Sequence, residues 1–213
     1  MRHGESTANA ASLDPRAVVP NDDSAIGLTE LGERQAAAVG RWLAGLPEMP
    51  DIVWCSPYLR AVRTWEVASR ELGGRPVPRH RVDARLRDRH RGLLSGLRPA
   101  EVRERFPREH AREAADSLGY RPPGGESFLD VAERLRGVVT DLEADRHRRV
   151  LVVAHDAVVL FLRMILEELT QAEVLTIAAG GLVANASVTG WHRGDGVYRL
   201  VTYDDRTHLK GTV

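Results

Sequence analysis

Two stretches of the chain repeat apolar residues at the spacing of an amphipathic helix. The first runs from Leu31 to Leu46, and Thr29 just before it is its expected N-cap. The second runs from Phe128 to Leu142 after a cap at Ser127. The pattern therefore predicts two helices that each bury one face.

Short, continuous apolar runs at residues 51–55 and 150–154 predict two strands. Continuous rather than alternating apolar character is typical of parallel strands that are covered on both faces. A helix is expected after each strand, the first with Ser56 as its cap and Pro57 at its first position. Strands that alternate with helices predict a parallel α/β sheet.

Near the end of the chain the pattern changes to alternation. Residues 186–191 and 197–203 alternate apolar and polar positions on either side of the turn Gly194-Asp195-Gly196, which predicts a hairpin. We therefore predict an α/β fold, a three-layer α/β/α sandwich with a mostly parallel central sheet. A length of 213 residues fits a single domain over 1–213.

Two segments lack a clear apolar face. Residues 10–27 contain Pro15 and Pro20 without periodicity and are predicted to be a surface loop. The segment from about 79 to 125 begins rich in arginine and continues with polar helical spacing. We interpret it as a small helical cap inserted over a site.

Composition excludes several classes of protein. With 43% hydrophobic and 28% charged residues, the chain is neither disordered nor collagenous. Thirty basic and thirty acidic side chains leave no net charge, so proteins that bind nucleic acid or anionic membranes by charge alone are disfavoured. The lone Cys55, the absence of an apolar leader and the lack of a bilayer-length apolar stretch favour a cytoplasmic protein.

The side chains with useful chemistry cluster where ligands of parallel α/β sheets bind, beyond the carboxyl ends of strands. They are Arg2, His3, Arg60 and His155. Guanidinium groups bind phosphoryl oxygens in pairs, and imidazole can attack phosphorus or donate a proton. The combination favours a phosphate monoester as the ligand.

Six ordered motifs resemble those of the histidine phosphatase superfamily, which includes the cofactor-dependent phosphoglycerate mutases and related phosphatases. They are Arg2–Asn9, Leu28–Ala36, Cys55–Thr64, Leu86–Gly96, Pro123–Ser127 and Val153–His155, and Asn185–Thr189 resembles a late strand of that fold. The motifs cover nearly the whole chain, and their order makes chance agreement improbable.

The resemblance implies that His3 is the nucleophile and forms a phosphohistidine that water later hydrolyses. Arg2, Arg60 and His155 would hold the phosphoryl oxygens. Asp88 would protonate the leaving oxygen and then activate the water.

Further roles follow from the same resemblance. Ser6 and Asn9 would add hydrogen bonds to the phosphate, and Glu126 would orient a catalytic neighbour. Departures from the mutases bear on the substrate, because mutases carry glutamate, tyrosine and lysine where this chain has Asp88, Arg91 and Pro99.

An arginine pair of the mutases is also missing before the proline turn, where Arg121 stands alone. We therefore expect a metal-independent phosphatase without a cofactor, acting on a small phosphorylated metabolite. Arg91, Arg121 and Glu126 are the expected substrate-binding residues. A mutase, or a catalytically weak protein that binds a phosphate ligand, stays as an alternative, and a homodimer is left open.

Other readings of the same residues are less favoured. Asp156 after His155 suggests a metal-dependent His-Asp hydrolase, but a carboxylate at a helix N-terminus is the simpler interpretation. Cys55 and Arg60 are separated by four residues, whereas the phosphate loop of cysteine phosphatases needs five. The arginines of 79–91 could bind nucleic acid, but no aromatic residues interleave with them, so a solvated rim is expected.

Only Met1 precedes Arg2-His3, a pair that ends a central strand in the resembling family. We therefore expect an incomplete first strand and a loosely held His3.

Overall fold

Three parallel strands form the central sheet, in a computed structural model that describes residues 1–14, 16–18 and 22–212. The strands of the protein are β1 Ile52–Cys55, β2 Arg79–Val82, β3 Val150–Val153, β4 Val188–Gly194 and β5 Val197–Asp205. The sheet order is β2–β1–β3, and β4 and β5 form a separate antiparallel hairpin. The predicted parallel sheet and hairpin are both confirmed.

Helices cover both faces of this sheet. They are α1 Thr7–Leu13, α2 Glu30–Ala44, α3 Leu59–Arg70, α4 Pro99–Arg105, α5 Pro107–Ala115, α6 Phe128–Ala144, α7 Asp156–Leu166 and α8 Gln171–Ala179. In β1, Val53 and Cys55 pack into the core formed with α2 and α3, whereas Trp54 packs into the core formed with α6 and α7. Successive strand residues point to opposite faces. The two separate cores on opposite faces of the sheet therefore confirm the three layers.

Helices α2 and α6 begin where the sequence predicts. The Thr29 side chain accepts a hydrogen bond from the Gly32 N–H, and Ser127 accepts one from the Asp130 N–H. Helix α3 is different, because it begins at Leu59 with Tyr58 as its N-cap residue. The prediction of Ser56 as cap is wrong, since the Ser56 hydroxyl contacts His155 instead.

Two predicted boundaries also need correction. Residues 10–13 of the predicted loop complete α1, which Ser6 and Asn9 cap reciprocally, while Pro15 and residues 19–21 lie outside the described residues. The start of the predicted cap is β2, because Arg79–Val82 pairs in parallel with β1 at the edge of the sheet. The cap proper therefore follows β2.

The cap has a small core of its own, formed by Leu94, Val102 and Tyr120. The Arg98 guanidinium ties α4 to the chain after α1, because it donates to the carbonyl oxygens of Ala11 at 3.2 Å and Asp14 at 2.8 Å. The cap is thereby fixed beside the carboxyl end of the sheet.

The segment Met1–His3 lies between β3 and the residues that lead into β4. The Ala154 N–H donates to the Met1 carbonyl at 3.0 Å, and the His3 N–H donates to the Ala154 carbonyl at 2.9 Å. On the other side, the Ala186 N–H donates to the His3 carbonyl at 2.9 Å. The expectation of a loosely held His3 is wrong, because backbone hydrogen bonds anchor it on both sides.

Within the part of the chain that the structure describes, no helix is both long and apolar enough to cross a bilayer.

Candidate active site

His3 presents one ring nitrogen for chemistry. Its side chain is 2% exposed, and Nδ1 lies 2.6 Å from the carbonyl oxygen of Gly4, so Nδ1 carries the proton and donates it to that carbonyl. The Nε2 lone pair accepts a hydrogen bond from Arg60 Nε at 3.1 Å. Burial, with the nearby charges of His155 and Arg60, holds the pKa of His3 well below its ordinary value. Neutral His3 therefore has Nε2 as its nucleophilic atom.

Gly4 allows α2 to approach the His3 backbone. A Cβ at Gly4 would lie 2.5 Å from the carbonyl oxygen of Gly32, which is closer than real Cβ atoms come. The close approach lets the Thr29 N–H at the start of α2 donate to the Glu5 carbonyl at 2.9 Å. The chain after His3 is therefore fixed against a helix.

His155 follows β3 and faces His3, with ring centroids 5.2 Å apart. Its Nε2 lies 2.7 Å from Ser56 Oγ, which also accepts the Tyr58 N–H at 3.3 Å. The hydroxyl proton of Ser56 is therefore free to point at Nε2, and this arrangement assigns the His155 proton to Nδ1. Burial and the charge of Arg60 lower the pKa of His155 well below its ordinary value, so the ring is neutral.

Two nitrogen atoms in this site are buried and without a hydrogen-bond partner among the described residues. They are His155 Nδ1 and Arg2 Nε. Arg2 is 7% exposed, and its NH1 donates to the Val183 carbonyl at 2.5 Å. A buried donor without a partner is costly, so both are suited to an anion that would satisfy them.

Arg60 lies between the nucleophile and two carboxylates. Its Nε donates to His3, and its NH2 donates to Asp88 Oδ2 at 3.0 Å. Asp23 forms a second ion pair with Arg60, with NH1 and Oδ1 2.8 Å apart. The same Asp88 oxygen lies 3.5 Å from His155 Nδ1, which is a charge contact only if the ring is protonated. Asp88 therefore stands beside His155 and is linked to His3 through Arg60, a position suited to a proton donor for a leaving group.

Glu126 holds the segment that carries Asp88 rather than contacting the site directly. Its carboxylate forms ion pairs with Arg87 and Arg134, and Arg134 NH2 donates to the Asp88 carbonyl at 3.2 Å. Burial raises the pKa of Glu126, but Arg134 and the His90 N–H outweigh that effect and hold it below its ordinary value. Glu126 thus orients the neighbourhood of Asp88 through Arg134.

A cavity of about 300 Å³ opens beside these groups. It is lined by Ala8, Asp23, Ile26, Asp88, Arg89, His90, Arg91, Ser95, Gly96, Phe128, Asp156 and Ala157. Arg91 lies in the lining, and its NH1 donates to the Leu97 carbonyl at 3.0 Å. Arg121 does not line this cavity, because its exposed side chain pairs with Asp130 at 2.5 Å. The prediction that Arg121 binds substrate is therefore not supported by its position.

Ser6 and Asn9 lie close to the nucleophile but bond to each other. Ser6 Oγ donates to Asn9 Oδ1 at 2.9 Å, and Asn185 Nδ2 donates to the same oxygen at 3.0 Å. Asn185 also donates to the His3 carbonyl at 3.2 Å. In this structure the pair therefore supports the backbone of His3, and their contact with phosphate stays a prediction.

Asp156 and Cys55 occupy different places. Asp156 is the first residue of α7 and lines the cavity, where burial and the nearby Asp88 raise its pKa while Arg2 opposes the rise. Cys55 is buried in the core on the α2 side, and burial raises the pKa of its thiol to about 12. The interpretation of Cys55 as a buried strand residue is confirmed.

Among the described residues, no group of three or more His, Cys, Asp or Glu is arranged to hold a metal ion.

Sequence reasoning missed the roles of Asp23, Ser56 and Arg134. Asp23 lies in a segment without periodicity, so nothing in the pattern placed it against Arg60. Ser56 was visible at a strand end, but its bond to His155 spans 99 positions of the chain. Arg134 lies on the predicted helix α6 and is one of many arginines.

The comparisons with known proteins agree with this geometry. The sequence model of the histidine phosphatase superfamily (branch 1) matches residues 1–206. A 2,3-bisphosphoglycerate-dependent phosphoglycerate mutase of Methylobacterium radiotolerans is 34% identical over 177 residues, which cover 82% of this chain and 80% of the mutase.

Solved structures of phosphatases share the fold. A mycobacterial glucosyl-3-phosphoglycerate phosphatase is 30% identical with a TM-score of 0.75, and the match covers 96% of each chain. The alpha-ribazole phosphatase of Shigella flexneri has a TM-score of 0.79 at 18% identity, covering 96% of this chain and 94% of that one, and so shows the fold alone. With a family match over nearly its whole length, this chain belongs to the histidine phosphatase superfamily.

Proposed function

We propose that this protein is a metal-independent phosphatase that hydrolyses a small phosphomonoester through a phosphohistidine on His3. The proposal is carried by the position of His3 beside His155, with ring centroids 5.2 Å apart, and by two buried donors without a hydrogen-bond partner among the described residues, Arg2 Nε and His155 Nδ1. A phosphoryl group placed there would satisfy both donors while its phosphorus faces the nucleophile.

In the first step Nε2 of His3 attacks phosphorus, the bond to the ester oxygen breaks, and Asp88 in its acid form gives its proton to that oxygen. In the second step Asp88 takes a proton from water, the water oxygen bonds to phosphorus, and the bond to Nε2 breaks. Arg2, Arg60 and His155 stay on the equatorial oxygens throughout.

The lining of the cavity favours hydrolysis over return transfer. Holding a phosphoglycerate for return transfer requires groups that bind its carboxylate. Asp23, Asp88 and Asp156 line the cavity, and Arg89 is occupied by the carbonyl oxygens of Glu126 and Tyr120. Arg91 is the other arginine of the lining, and its NH1 is bonded to the Leu97 carbonyl. Three carboxylates facing a substrate carboxylate would repel it, which supports a phosphatase.

A mutase is the second candidate, because the relative from Methylobacterium radiotolerans is a phosphoglycerate mutase at 34% identity. The two candidates differ in one requirement. A bisphosphoglycerate primer should raise turnover many-fold for a mutase, whereas it should leave a phosphatase unchanged or act as a competing ester.

The test is phosphate release from a panel of monoesters in the presence of a chelator. We expect the parent protein to release phosphate and His3→Ala to lose at least ~1,000-fold in kcat, because the nucleophile is gone. His192→Ala on exposed β4 is the matched control and should keep parent activity.

Acid-labile, base-stable phosphate should label the parent and not His3→Ala. Chelator-sensitive turnover, or turnover that survives His3→Ala, would contradict the proposal.

A further inference from the structure

Every N–H of the Arg60 guanidinium is already bonded within the protein. Nε donates to His3 Nε2 at 3.1 Å, and NH2 donates to Asp88 Oδ2 at 3.0 Å. The remaining bonds go to Asp23: NH1 donates to its carbonyl oxygen at 2.7 Å and to Oδ1 at 2.8 Å, and NH2 donates to Oδ2 at 3.3 Å. A guanidinium has five N–H donors, so none is left for a ligand.

Asp23 takes up the geometry that a phosphoryl group would use. Its two carboxylate oxygens face NH1 and NH2, which is the paired arrangement in which arginine binds carboxylate or phosphate. The Asp23 side chain is 36% exposed, whereas that of Arg60 is 4% exposed. The carboxylate therefore has water available as an alternative partner, and the buried guanidinium does not.

Arg60 differs in this respect from the other two candidate anion-binding residues, Arg2 and His155. Arg2 Nε and His155 Nδ1 have no hydrogen-bond partner among the described residues, while Arg60 is saturated. A phosphoryl group that bonds to the first two therefore displaces no protein partner from them. It reaches Arg60 only by replacing a carboxylate.

We propose that Asp23 is an internal competitor for Arg60 that weakens the hold of the site on its phosphoryl ligand and so promotes release of inorganic phosphate. The inference rests on the proposed phosphatase function. When the ester binds, its oxygens replace those of Asp23 on NH1 and NH2, and the carboxylate turns to water. After hydrolysis Asp23 returns to Arg60 as phosphate leaves, and no covalent bond to Asp23 forms or breaks.

Asp23 is a better candidate for this exchange than Asp88. Asp88 accepts one of the Arg60 N–H groups, and its Oδ1 is held by the Arg89 N–H at 2.9 Å. Asp23 accepts three of them through its side chain and its carbonyl oxygen. Burial raises the pKa of Asp23 against the opposing charge of Arg60, which is the direction expected of a carboxylate that is easily displaced.

The test compares Asp23→Asn with Asp22→Asn, a neighbouring aspartate with the same change of charge. Asp22 Oδ1 accepts from the Ser24 N–H at 3.1 Å, a bond that asparagine can keep. We expect Asp23→Asn to bind inorganic phosphate about tenfold more tightly and to show a lower KM for p-nitrophenyl phosphate with kcat unchanged or reduced. Asp22→Asn should stay within about twofold of the parent in all three values.

Phosphate affinity is measured in two ways, by product inhibition and by calorimetric titration with inorganic phosphate. Unchanged or weaker phosphate binding by folded Asp23→Asn would overturn the inference, because Asp23 would then merely support Arg60. Asp23→Ser serves the same comparison if the asparagine variant does not fold. A parent protein that binds phosphate but hydrolyses no ester would refute the proposed function. The competition between Asp23 and phosphate for Arg60 would still be tested, because calorimetry measures phosphate affinity without turnover.

Discussion

Single hydrogen bonds in this site decide which nitrogen atoms face the substrate. His3 is fixed by the Gly4 carbonyl, which leaves the lone pair on Nε2, the proposed nucleophile, and His155 is fixed by Ser56, which leaves an N–H at Nδ1. In each ring the hydrogen bond to Gly4 or Ser56 decides which nitrogen carries the proton. The chemistry of the two histidines is therefore set by their partners rather than by their own pKa values.

Removing the Ser56 hydroxyl should release the His155 ring. In Ser56→Ala, Nε2 loses its 2.7 Å partner, so His155 can adopt the other tautomer and stop donating to the phosphoryl group. We expect kcat/KM to fall about 10- to 100-fold, which is at or below the loss typical of removing one positioned hydrogen-bond donor. Steady-state kinetics with p-nitrophenyl phosphate measure this.

Ser69→Ala is the matched control, because the Ser69 hydroxyl on α3 bonds only to the Glu66 carbonyl among the described residues. Equal kinetics for both serine variants would refute the role of Ser56.

At the scale of elements, the segment that carries Asp88 is held against the proline turn. The Leu93 N–H donates to the Pro123 carbonyl at 2.9 Å, and the Glu126 N–H donates to the His90 carbonyl at 2.8 Å. Gly92 makes this approach possible, since it has φ +52° and a Cβ there would lie 2.2 Å from the Pro123 carbonyl oxygen. The position of Asp88, the proposed proton donor, therefore depends on a glycine four residues away.

A methyl group at Gly92 should push these two segments apart. We expect Gly92→Ala to lose about 3 kcal/mol or more of unfolding free energy, from backbone strain and the clash together, and to lose activity as Asp88 shifts. Gly74→Ala is the control, because Gly74 has φ +83° but open space around its Cβ, so it should lose only about 1–2 kcal/mol. Denaturant unfolding and kinetics of both variants test this, and equal losses would show that strain alone matters.

The elements that the sequence predicts well are those whose buried residues recur at regular positions along the chain. Helix α6 and strand β3 show their buried faces as periodic or continuous apolar residues, so their positions follow from local spacing. Strand β2 was not predicted because all four of its residues are exposed. Its pairing with β1 depends on backbone hydrogen bonds, which leave no mark on side-chain pattern.

The site was predictable only where motifs carried it. His3, Arg60, Asp88 and His155 are brought together as the resemblance implies. The pairing of Arg121 with Asp130 was not predicted, because the direction of a side chain cannot be deduced from its position in a turn. The ion pair between Asp23 and Arg60 could not be predicted, because it depends on the path of the chain between α1 and α2, and that path has no sequence signature.

At the scale of the whole molecule, buried neutral histidines make stability depend on pH. The pKa values of His3 and His155 are held well below normal, mainly by burial, so the folded protein does not protonate them near neutrality. The unfolded chain binds protons at these positions below about pH 6.5. Acid therefore favours the unfolded state.

We expect the free energy of unfolding to be fully retained above about pH 6.5 and to fall from pH 6.5 to pH 5, by up to about 1.4 kcal/mol per pH unit for each histidine. Urea unfolding at several pH values measures it. His3→Gln should make the dependence shallower by about one proton, and His192→Gln on the exposed hairpin should not change it. An unchanged slope in His3→Gln would contradict this linkage.

The segment Met1–His3 bonds to Ala154 after β3 on one side and to Ala186 and Ser187 before β4 on the other. His3, the proposed nucleophile, thus lies where the parallel strands meet the residues that lead into the hairpin. A shift of the hairpin relative to the parallel sheet would move His3 Nε2 relative to a bound phosphoryl group, even with all strands still paired. The packing between the parallel sheet and the hairpin therefore sets the position of His3, and a change that loosens this packing should lower activity before it unfolds the protein.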